Sequence, residues 1–122
     1  MAYSLNIEED HSFITMFVIG ELTNEIIMDQ NVAMSKLAAE SGIDKILVDA
    51  TKARFIGSIL DQYDYANNYM TTSNDVSRLF RLVLLVDIDD HSHDFIETLS
   101  RNNGFDITIF RDREKAIEYL LK

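Results

Sequence analysis

At 122 residues, none of them cysteine or proline, the chain fits one domain and excludes disulfides, thiolate metal sites and thiol nucleophiles. Hydrophobic residues make up 47%, enough for a sizeable core. The formal net charge of −10, with no basic stripe to offset it, excludes nucleic acid as an expected partner and disfavours anionic lipid headgroups, though not a buried lipid tail.

The opening MAYSLNIEED lacks the basic and apolar stretches of a secretory leader, and no apolar run reaches the ~20 residues of a membrane span. A soluble cytoplasmic protein is the expectation. From Tyr3 to Glu8 apolar and polar residues alternate, which predicts a strand with one buried face. Glu9 to Ser12 reads as a hairpin turn. Phe13 to Ile19, apolar on both sides apart from Thr15, reads as a more central strand that Gly20 ends.

Thr23 is placed as the N-cap of a first helix, with Glu25 in its first turn. Ile26, Ile27, Ala33, Met34, Leu37 and Ala38 form its inner face, and Gly42 sits where a left-handed residue closes a helix. Ile43 to Asp49 reads as a third strand ending in a carboxylate. After a polar turn, Ser58 caps a predicted second helix whose inner face is Ile59, Tyr63, Ala66 and Met70. The most loop-like stretch is 71–75. Leu82 to Val86 reads as a strand covered on both faces. Phe95, Ile96 and Leu99 open a third helix closed at Gly104. Phe105, Ile107 and Ile109 alternate as a fifth strand. Asp112 caps a last helix with Ala116, Ile117, Leu120 and Leu121 inward.

The predicted architecture is therefore a single α/β domain over 1–122. It has a mixed sheet of about five strands, an N-terminal β-hairpin and about four helices. This order resembles the STAS superfamily, the fold of bacterial anti-sigma factor antagonists. It is most similar to the SpoIIAA-like branch, which also looks like CRAL-TRIO lipid-binding domains. The residues that carry the resemblance are Lys45 to Asp49 with Ile56-Gly57-Ser58, then Arg81 to Val86. The ending adds Phe95 to Thr98, Arg101 to Gly104, Phe110 and Glu114 to Leu120. In anti-sigma factor antagonists an Asp-Ser pair at the helix start carries a phosphorylatable serine. Here Gly57 replaces the aspartate and Ile59-Leu60 replaces the Ser-Gly that follows, while Ser58 remains. The resemblance thus makes Ser58 a candidate phosphoacceptor, and a plain N-cap is the competing role.

Other candidates come from the residues themselves. Asp49 stands where ligands gather in open α/β sheets, and it equally suits a turn carboxylate accepting backbone N–H groups. Tyr65 and Tyr69 point away from the core face. With Phe55, Ile56 and Ile59 they outline an exposed apolar patch, extended by Thr51, Gly57 and Ser58; ordinary packing is the alternative. Asp87, Asp89, Asp90, His91, His93 and Asp94 are the densest set of metal-ligand types, with His91, His93 and Asp94 the weak candidates. Acidic residues before a helix are also expected for dipole reasons. No G-x-S-x-G, HExxH or phosphate-binding glycine loop is present.

The expected function is a non-catalytic binding or regulatory module. It docks a protein partner or an apolar small ligand, such as a lipid, through the turn and helix of 50–69. No cofactor is called for. The same patch equally suits a symmetric homodimer. The alternative is a metal-dependent enzyme built on Asp87 to Asp94.

Overall fold

The computed structural model describes residues 3–8, 12–56, 80–94, 97–98, 101 and 106–122. They form a five-stranded sheet whose spatial order equals its order in the chain: β1 (Tyr3–Ile7), β2 (Ile14–Leu22), β3 (Lys45–Phe55), β4 (Arg81–Leu85) and β5 (Asp106–Phe110). β1 runs antiparallel to β2, and every later pair is parallel. Two helices are complete among the described residues, α1 (Asn24–Ser41) and α2 (Arg113–Leu120), rather than about four. The predicted second helix falls in 57–79, outside the described residues. Of the predicted third, Asp94, Glu97, Thr98 and Arg101 are described and helical.

Local chemistry explains where the helices start and stop. Thr23 is extended, and its Oγ1 accepts from Ile26 N at 3.3 Å, satisfying one of the free amides of the first turn. Gly42 takes φ 74° and donates to Ala38 O at 2.9 Å, the left-handed closure that a residue with a Cβ enters only at a cost. Asp112 caps α2 by accepting from Glu114 N and Lys115 N.

The sheet has two covered faces. On one, Ile14, Met16, Val18, Ile46, Val48 and Ala50 meet Met34 and Ala38 of α1 in the larger core. On the other, Leu47, Val83 and Leu85 meet Ala116 and Leu120 of α2. Strand alternation produces this division, since neighbouring residues point to opposite faces. Leu121, expected inward, is exposed instead: α2 ends at Leu120, so the next side chain is no longer carried over the sheet.

Two strand ends differ from the sequence expectation. β2 continues through Gly20 (φ 98°) to Leu22, because Gly20 and Leu22 still pair with Ala53 and Phe55. β3 does not stop at Asp49 but runs on to Phe55, six residues beyond its ladder with β4. Between Phe17↔Asp49 and Ile19↔Lys52 the register slips, so Ala50 and Thr51 together oppose Val18. This bulge reverses the alternation of β3: Ile46, Val48 and Ala50 face the larger core before it, and Ala53 and Phe55 face the same core after it.

Candidate functional site

The carboxyl ends of β2 to β5 lie along one side of the sheet, and most of the described candidate residues collect there. Asp49 is the exception to its predicted placement, standing mid-strand rather than at a strand end. It marks the point where β4 stops, since Asp49↔Leu85 is the last pair of that ladder. Its Oδ1 accepts from Thr51 N (3.1 Å) and Thr51 Oγ1 (2.7 Å), and Oδ2 accepts from Arg113 Nη1 at 3.3 Å. The bulge takes Thr51 N–H out of the regular ladder, and Asp49 supplies the acceptor it lacks. The turn-carboxylate role is the one the geometry satisfies, and the arginine on α2 is a partner the sequence did not indicate.

Beyond Thr51 the extension alternates between inside and outside. Lys52, Arg54 and Ile56 are exposed, Ile56 at 51%. Phe55 is buried in the larger core, so it is no part of an exposed apolar patch; the bulge turned it inward. Gly57, Ser58, Ile59, Tyr65 and Tyr69 lie outside the described residues.

The loop after β4 folds against the tip of β3. Ser92 Oγ accepts from Phe55 N at 3.2 Å, occupying an amide on the side that β4 no longer covers. Ser92 N in turn donates to Asp90 Oδ1 at 2.8 Å. His93 presents its ring edge-on to Phe55, with centroids 6.4 Å apart and planes at 65°. Its Nε2 lies 3.7 Å from Asp90 Oδ2, too far for a hydrogen bond, and among the described residues it has no hydrogen-bond partner. Both side chains are almost wholly buried.

Burial holds the His93 pKa below the ordinary imidazole value; the carboxylates of Asp90 and Asp94 oppose that, and Arg54 adds to it. For Asp90, burial pulls upward. Hydrogen bonds from Ser92 and the charges of His93 and Arg54 outweigh it, and the net shift is downward. A neutral imidazole beside an ionised carboxylate is the resulting pair at neutral pH.

His91 and Asp94 point the other way. His91 Nδ1 meets Asp94 Oδ2 at 2.8 Å, and Arg111 Nη2 donates to Asp94 Oδ1 (3.1 Å) and Asp90 O (2.8 Å). Partial burial raises the Asp94 pKa, but the bonds and charges of His91 and Arg111 take it below the ordinary aspartate value. The three weak metal candidates are therefore not brought to one point: His91 is exposed, His93 is buried, and Asp94 is held by a guanidinium. Among the described residues no group of three or more His, Cys, Asp or Glu is placed to hold a metal. Arg111 and Ser92 were not legible as site residues, because an arginine after a strand and a serine between two histidines have no spacing that marks them.

The fold and this arrangement define an α/β module with a mixed sheet and a loop-lined carboxyl side. Among solved structures, an uncharacterized protein from the DUF3478 family with a SpoIIAA-like fold, from Shewanella loihica PV-4, matches over 98% of this chain and 92% of its own. The TM-score is 0.56 and the identity 17%. The fold of this chain is thus SpoIIAA-like, as the order of its elements implied. No family model matches the sequence, and comparison with curated proteins gives no match. Among the described residues, no helix is long and apolar enough to cross a membrane.

Proposed function

We propose that this chain is a non-catalytic docking module that binds a protein partner through the surface of residues 50–69. The observation that carries the reading is the overrun of β3. β3 ends at Phe55, six residues past the last β4 pair, and the next residue, Ile56, is exposed, as are Lys52 and Arg54 on the strand before it. An apolar side chain at a rigid strand tip suits a contact anchor. The tip is rigid for stated reasons: Asp49 binds the bulge, Ser92 binds Phe55 N, and Ile56 N donates to Leu22 O at 3.0 Å. Gly57, Ser58, Ile59, Tyr65 and Tyr69 extend the surface in this reading, with Ser58 as the residue whose phosphorylation would set a charge on it.

The test is quantitative capture of partners from the native host by the tagged full chain. Ile56→Asp, and Tyr65→Ala with Tyr69→Ala, are expected to weaken a captured partner by about tenfold or more. Val32→Asp, at an exposed apolar position on α1, is expected to leave it unchanged. Equal capture by all variants would sink the proposal. Intact mass under denaturing conditions reports on Ser58 separately.

A further inference from the structure

The sheet has two edges, and they are built differently. At β5, Ile109 N donates to the Glu97 carboxylate, so a side chain closes an outward amide. Asp106 on the same strand is paired with Arg81. That edge is both occupied and charged, the usual defences against pairing with another chain.

Among the described residues, β1 has neither defence. Its sequence, Tyr-Ser-Leu-Asn-Ile, is the one uncharged strand among those described, in a chain of net charge −10. It contains no proline. The nearest charge, Glu8, accepts from Thr15 Oγ1 at 3.0 Å and from Asn6 Nδ2 at 3.4 Å, which ties it back over β2. Glu8 N donates to Phe13 O, so the backbone groups of Glu8 face β2. By the two-residue period of a strand, those of Asn6 and Ser4 face β2 as well, and those of Tyr3, Leu5 and Ile7 face outward.

We propose that β1 pairs antiparallel with β1 of a second copy of this chain, about a two-fold axis through Leu5 and perpendicular to the sheet. The strand is self-complementary in this register. Leu5 opposes its own equivalent and Tyr3 opposes Ile7, so every outward N–H and C=O of these residues meets a partner. Tyr3, Leu5 and Ile7 all lie on the α1 side of the sheet, as their pairing with Val18, Met16 and Ile14 shows, so the apolar stripe continues across the axis. Ser4 opposes Asn6 on the other face, polar against polar. Electrostatics also selects the site, since two copies of charge −10 approach at least cost where neither strand carries a charge. The contact is small, so the dimer is weak and concentration-dependent. β2 separates it from the tip of β3, and either proposal can fail without the other.

The test is the mass of the full chain by light scattering and native mass spectrometry from about 1 μM to about 1 mM. The wild type is expected to pass from monomer to dimer, and to do so at lower concentration as added salt screens the repulsion. Ser4→Lys with Asn6→Lys places like charges opposite each other and is expected to raise the dissociation constant about tenfold or more. Ser4→Glu with Asn6→Glu is expected to do the same. Mixing the two variants restores a heterodimer, which a misfolded chain could not form. Tyr3→Pro, at the first residue of the strand where proline is tolerated, removes one outward donor and weakens the dimer independently. A chain that stays monomeric throughout, or a dimer indifferent to these substitutions, overturns the proposal.

Discussion

Asp90 and His93 sit out of water behind Phe55, while His91 and Asp94, each one residue away from a member of the buried pair, stand at the surface with Arg111. The same residue types carry both clusters. What differs is the dielectric around them and the number of bonds each group makes. In the dry cluster a carboxylate is held by Ser92 and, among the described residues, an imidazole nitrogen lacks a partner, so removing either group leaves a buried polar atom or a void. In the wet cluster water replaces whatever is removed. Composition alone makes the six acidic and histidine residues of this loop look like one site; burial separates four of them into a structural clamp, Asp90 with His93, and a solvated ion cluster, His91 with Asp94, and leaves Asp87 and Asp89 exposed.

Three experiments break or sharpen that contrast. The largest effect is expected for His93→Ala, which empties a ring-sized space against Phe55 and should lower stability by about 2–4 kcal/mol in urea melts. His91→Ala in the same assay should change it by less than about 0.5 kcal/mol. The second is acidification. Because the folded pKa of His93 lies below its ordinary value, the unfolded chain takes up a proton that the folded chain resists. Stability should therefore fall as pH drops below about 6.5, the unperturbed value, and His93→Gln should flatten that fall. Asp90 acts in a lower window: its folded pKa is depressed, so its contribution persists above about 3.9 and is lost below it. A wild-type stability that stays flat between pH 7.5 and 5 would refute the dry reading of His93. The smallest effect is expected for Arg111→Ala, below about 1 kcal/mol and shrinking with added salt.

The sequence revealed most where structure is local. Thr23, Gly42 and Asp112 act at the helix ends they were read for, because a cap involves groups only a few residues apart. The apolar run of β4 reads directly as a strand with both faces covered, as Leu82 and Leu84 on one side and Val83 and Leu85 on the other show. Long-range effects were not legible. Nothing in Ala50-Thr51-Lys52 announces a bulge, since it arises from registration against β2. That single slip decides that Phe55 is inside, while continued pairing with β2 leaves Asp49 mid-strand. The divergence of His91 and His93 likewise depends on Phe55, thirty-eight residues before His93 in the chain, meeting one ring and not the other.

The equality of spatial and sequential strand order bears on how the molecule is assembled. Each new strand pairs with the one made just before it, so the sheet grows from one end and no gap is left for a later segment to fill. Contacts that close over short stretches of chain form fast. The last described element breaks the pattern, because α2 follows all five strands yet packs back on β3 and β4. Until it arrives, Leu47, Val83 and Leu85 lack the cover that Ala116 and Leu120 give them. A nascent chain that has emerged only through β5 thus presents that apolar face without its α2 cover. That interval is when a chaperone would be needed most.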